Sequence, residues 1–128
     1  MEMEMEIKRM MVGMGSVAAI LISSLVLAAP PKLTPVLLEK GKTSYATNCM
    51  TCHGDKGDGN GVAGAMMNPK PRNFIADKFK QGDKPEKVFK TISQGLPNTS
   101  MVGFGHLSEE ERWALTYYVL DFRKAGKK

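Results

Sequence analysis

At 128 residues the chain has room for one domain once any targeting segment is set aside, and a core of that size gains from a stabilising cofactor. Its formal charge of +5 comes from 18 Lys and Arg against 13 Asp and Glu, a balance that favours acidic partner surfaces. Nucleic acid is not indicated, because no dense basic run, recognition-helix pattern or aromatic-basic platform accompanies the charge.

The alternating Met-Glu run of Met1 to Glu6 has no physical reading. Lys8-Arg9 then leads into an uncharged stretch, Met10 to Ala29, which closes with Val26-Leu27-Ala28-Ala29 ahead of Pro30-Pro31. A basic start, an apolar middle and a small-residue end resemble a secretory signal peptide cut after Ala28 or Ala29. The competing reading is an uncleaved anchor, since about 20 uncharged residues can cross a bilayer as a helix. Residues 1–29 are therefore expected to be a leader or anchor, and residues 30–128 the folded domain. The latter carries sixteen Lys and Arg against ten Asp and Glu, a net +6.

Thr34 followed by Pro35 predicts a helix start, with the hydroxyl as cap and proline where its missing N–H costs nothing. The helix should run to about Asn48, with Leu38, Gly41, Tyr45 and Cys49 on one face. Gly41 costs about 1 kcal/mol relative to alanine inside a helix, so its presence there points to close approach by another backbone.

Cys49-Met50-Thr51-Cys52-His53 follows directly and holds both cysteines of the chain. A C-x-x-C-H run is the attachment pattern of c-type haem: each sulfur adds to one vinyl group as a thioether, and the adjacent imidazole reaches the iron. Other readings of the dithiol are weaker. A thioredoxin-like pair expects a βαβ setting, and no strand–helix alternation surrounds this one. A structural zinc site needs four ligands, whereas His106 is the one further His or Cys. A plain disulfide leaves His53 unexplained.

From Gly54 to Gly82 no period is sustained, and Gly54, Gly57, Gly59, Gly61 and Gly64 crowd the first half. A loop of that length in a small domain needs something to order it, and haem would serve. Met66, Met67, Phe74, Ile75 and Phe79 are expected to face the pocket. Asp83 or Lys84 before Pro85 begins a second helix with Val88, Phe89 and Ile92 inward, Lys84, Lys87 and Lys90 outward, and Gly95 as terminator. Ser108-Glu109-Glu110-Glu111 reads as a capping box opening a third helix to about Lys124, with Ala114, Leu115, Tyr118, Val119 and Phe122 as its stripe. No strand pattern is present.

An iron held by His53 has a second face, and the donor placed there decides between electron transfer and ligand binding. Met101 lies in the turn-rich segment Gly95 to Phe104; Met66, Met67 and His106 are further candidates.

The Cys49 to His53 motif, the preceding helix with Gly41 and Tyr45, the Gly-rich loop, the Gly95 to Phe104 segment and the capped C-terminal helix with Trp113 and Tyr118 together resemble a class I mono-haem cytochrome c, over about residues 35–123. The resemblance implies an all-α cytochrome c fold in which N- and C-terminal helices cross beside one covalently bound haem c, with few or no strands. It implies thioethers to Cys49 and Cys52, His53 as proximal and Met101 as distal iron ligand, and no catalytic residues. It also implies a one-electron carrier in the periplasm, docking with redox proteins through acidic partner surfaces, without a small-molecule substrate and touching the membrane only if the leader stays. The alternatives are a haem enzyme or gas sensor with an open distal site, and a tethered subunit of a larger redox complex. Three positions depart from the family pattern: Val102 and Val62 stand where proline is common, and Asn98 where glycine is common. Asparagine tolerates left-handed backbone angles. Without a proline at Val62, Pro69 and Pro71 are the sequence's candidates for the carbonyl that orients His53.

Overall fold

The computed structural model describes residues 29–127. The expected leader, apart from Ala29, lies outside the described residues. Among those described, four α-helices and one 3-10 turn follow in order: α1 (Pro35–Asn48), α2 (Met50–His53), the 3-10 turn (Gly64–Met66), α3 (Pro85–Gln94) and α4 (Glu109–Ala125), with no strand. The all-α expectation holds. No helix among the described residues is long and apolar enough to cross a membrane.

α1 begins as its sequence dictates. Thr34 Oγ1 accepts the Leu37 amide at 3.1 Å, and Pro35 occupies the first turn. Its buried face is Leu37, Gly41, Ser44 and Tyr45. Leu38 is half-buried, so the inward stripe is centred one position from the expected one. The haem-motif sequence then coils into a further turn, α2, whose His53 amide donates to the Cys49 carbonyl at 2.9 Å.

α4 packs along α1. The two backbones meet at Gly41, where an added Cβ would overlap the Ala114 carbonyl and lie 2.9 Å from the Tyr118 Cβ. Ala114, Leu115 and Thr116 are wholly buried beside this contact. Ser44 crosses the same interface and donates to Glu111 Oε1 at 2.8 Å. That bond revises the capping-box reading. Ser108 Oγ does accept the Glu111 amide, at 3.2 Å, but the Glu111 carboxylate reaches to α1 for the Ser44 hydroxyl.

α3 covers the remaining side, its Val88 and Ile92 joining Tyr45, Phe74, Leu115 and Val119 in one apolar core. Gly95 ends it with φ 73, as expected of a glycine terminator. The long segment between α2 and α3 is mostly turns that lie on other backbone. A Cβ at Gly61 would sit 2.6 Å from the Thr51 carbonyl carbon, so the Gly-rich stretch serves close approach to the motif turn as well as bending.

The Gly41 contact generates a prediction whose sign separates two effects. Helix propensity alone would make Gly41→Ala more stable by about 1 kcal/mol. Overpacking against a backbone carbonyl that cannot rotate away costs about 1–3 kcal/mol, occasionally more, and opposes that gain. The denaturant midpoint of Gly41→Ala should fall at unchanged slope; an equal or higher midpoint would contradict the close approach.

Candidate functional site

A cleft of about 250 Å³ opens between the motif turn, the long loop, α3 and the segment after it. Cys49, Cys52 and His53 wall one part. Met67, Pro71, Phe74 and Phe79 come from the loop, Val88 and Ile92 from α3, Val119 from α4, and Leu96, Met101 and Phe104 from the segment between α3 and α4. The lining is predominantly carbon, and Lys70 and Lys80 also belong to it.

The motif cysteines are free, half-buried thiols. Burial, with the neighbouring Cys52 adding to it, pushes the Cys49 thiol up to about 12. Among the described residues no group of three or more His, Cys, Asp or Glu is placed to hold a metal ion.

His53 is buried, with its Nδ1 3.1 Å from the Arg72 carbonyl. A carbonyl can only accept, so Nδ1 carries the proton and the lone pair belongs to Nε2, the nitrogen suited to a metal. The ring's pKa is lowered by burial, against an opposing upward effect of the Arg72 hydrogen bond. Phe74 stacks on the imidazole at 4.4 Å and 21°. The orienting carbonyl is thus that of Arg72, one residue beyond Pro71 and three beyond Pro69, the two positions the sequence offered. A hydroxyl fixes the end of the motif turn: Tyr45 donates to the Gly54 carbonyl at 2.6 Å. Burial raises the phenol's pKa well beyond its ordinary value, which keeps it a donor.

Met101 lines the cleft from a loop that closes on itself. Its carbonyl accepts the Leu96 amide at 3.1 Å, and its amide donates at 3.1 Å to Thr99 Oγ1, which donates to the Leu96 carbonyl at 2.8 Å. Asn98 takes φ 59, the left-handed angle asparagine tolerates. Three hydrogen bonds thus brace the loop where Val102, 66% exposed, stands in place of proline. Among the other candidate donors, Met67 lines the cleft, Met66 is 93% exposed and His106 is exposed beside Phe104. Ile75 is 41% exposed and, like Met66, does not line the cleft, contrary to expectation. Both sit on outward turns of a segment whose register has no period to read.

The structure therefore brings Cys49, Cys52, His53 and Met101 to one apolar cleft, with an imidazole whose pKa burial lowers, a thioether and two free thiols. That donor set and lining fit a flat apolar macrocycle bearing iron. Sequence reasoning missed Arg72, which acts through its carbonyl, a role that no side chain advertises.

Comparison with known proteins agrees with this fold. The family model for cytochrome c matches residues 38–122. The cbb3-type cytochrome c oxidase subunit CcoP of Cereibacter sphaeroides is 31% identical over 74 residues, 58% of this chain and 23% of that subunit. The match thus spans less than a quarter of that curated relative. A solved chain of the Kuenenia stuttgartiensis reducing HAO-like protein complex Kustc0457/Kustc0458 has a TM-score of 0.68 and 32% identity, covering 78% of this chain and 47% of that one. Covalently bound haem c is the cofactor this family implies, and the spacing of Cys49, Cys52 and His53 fits one haem. With helices and motif in the arrangement just described and the match running through both, the chain belongs to the cytochrome c family.

Proposed function

We propose that this protein is a mono-haem one-electron carrier working outside the cytoplasm, with thioethers to Cys49 and Cys52 and its iron held between His53 and Met101. The observation that carries the reading is the presence in one cleft of a buried imidazole with its Nδ1 engaged by Arg72 and a thioether on a hydrogen-bonded loop. When bound, the haem supplies an iron that cycles between ferrous and ferric states.

The chain's contribution is to hold and tune. His53 stays neutral through burial, and the Arg72 carbonyl makes its Nε2 a stronger donor. A methionine sulfur opposite favours the ferrous state and raises the potential relative to a second histidine. A distal position held by Met101 supports electron transfer over gas binding or catalysis. Phe74, Phe79, Val88, Ile92 and Val119 exclude water from the cleft, which lessens solvent rearrangement when the charge changes. Lys70 and Lys80 at the cleft and the net charge of +5 support brief docking on acidic redox proteins, weakened by salt.

A second reading has its own support: one relative is an oxidase subunit and the other part of a redox complex. This chain would then serve one larger assembly, tethered through residues 10–29. The mass of the mature protein separates the two. Loss of residues 1–28 or 1–29 is the expected result, and a retained leader favours the tethered subunit.

The distal ligand has a direct test. Met101→Ala should abolish the sulfur-to-iron charge-transfer band of the ferric protein, lower the reduction potential and let the reduced protein bind carbon monoxide quickly. A spectrum identical to the parent's would remove Met101 from the iron.

A further inference from the structure

We propose that Arg123, on the last turn of α4, is a positioning residue for the proximal side of the haem, holding the loop whose carbonyl hydrogen-bonds His53 and thereby setting the reduction potential from outside the cleft. The inference rests on His53 as the axial ligand.

Residues 72–77 form a turn closed on itself. Asn73 Oδ1 accepts the amides of Ile75 and Ala76, while Asp77 Oδ2 accepts the Asn73 amide and lies 3.6 Å from Arg72 Nη1. Such a turn moves as a unit, so whatever anchors it places the Arg72 carbonyl. Arg123 Nη1 donates to two of its carbonyls, Phe74 at 3.3 Å and Asp77 at 2.5 Å. The guanidinium also lies over the Phe79 ring, 4.6 Å from its centroid, and Nε is 4.0 Å from Asp83 Oδ2. The other backbone anchor is the Phe74 amide on the Gly57 carbonyl, at 2.7 Å. At the far end of the same turn stands the 3.1 Å contact to His53 Nδ1.

A carbonyl held against Nδ1–H strengthens the imidazole as an iron donor and favours the ferric state. Arg123's positive charge, taken alone, favours the ferrous state. The two roles therefore have opposite signs: removing the side chain raises the potential if Arg123 positions the loop and lowers it if only its charge matters.

The test compares haem-loaded full-length Arg123→Ala, Arg123→Lys and, as a charge control, Lys124→Ala. Midpoint potential is read by spectroelectrochemistry and solvent exchange of the His53 Nδ1 proton by NMR of the reduced protein. Arg123→Ala should exchange that proton at least about tenfold faster and have a higher potential, with the sulfur-to-iron band intact. Arg123→Lys should fall between it and the parent, and Lys124→Ala should exchange like the parent. Parental exchange in Arg123→Ala, or a potential that drops as in Lys124→Ala, overturns the proposal. Should Arg123→Ala fail to load haem, Arg123→Lys decides on the same readouts, and parental values there overturn it. If the parent itself shows no Nδ1 proton displaced by the haem ring current, the axial role of His53 fails, and the inference with it.

Discussion

The backbone contact between α1 and α4 at Gly41 is the constraint on which the site depends. With no side chain between them, α1 lies against Ala114, and Tyr45, one turn further along, is driven into the core beside Leu115 and Val119. From there its hydroxyl takes the Gly54 carbonyl, the residue after His53. The motif turn is thus pinned at both ends, at Cys49 by the end of α1 and at Gly54 by Tyr45. Ser44 and Glu111 add a polar bond across the same interface, which fixes the register of the two helices. A wider crossing would loosen Tyr45, and with it the thiols and the imidazole.

The two sides of the cleft are built by different means. On the His53 side the polar contact is a single backbone carbonyl, and the rest is aromatic: Phe74 stacks on the imidazole and meets Tyr45, Phe79 and Phe122 in turn. Burial there favours the neutral ring, the form that can ligate. On the Met101 side a short loop carries its own hydrogen bonds and is tied to α3 where the Phe104 amide donates to the Ile92 carbonyl at 2.8 Å. This division explains how Val102 is accommodated, since the Thr99 hydroxyl and the left-handed Asn98 supply the bracing that a proline would give.

Legibility from sequence followed the range of the interactions. Thr34-Pro35, Ser108 with three following glutamates, and Gly95 are local devices, and α1 and α4 begin, and α3 ends, where they stand. Cys49, Cys52 and His53 are adjacent, so their chemistry was readable without a fold. Gly41 was readable as a close approach, though the partner Ala114 was not. The long loop resisted because nothing periodic fixes its register: Met66 and Ile75 face outward while Met67 and Phe74 face in. Arg72 and Arg123 were invisible for a further reason. One works through its carbonyl, and the other through a contact that spans 49 residues of sequence to Phe74. Glu111 shows the same limit in reverse, a local motif whose carboxylate was taken by a tertiary partner.

The central claim is that one iron sits between a histidine nitrogen and a methionine sulfur in this cleft. X-ray absorption at the iron edge of the purified holoprotein tests it most directly, because the scattering shell counts sulfur and light atoms separately. Five nitrogen neighbours and one sulfur, in both oxidation states, are the result this account predicts. A shell without sulfur, whether five-coordinate or completed by another nitrogen or oxygen, would contradict it.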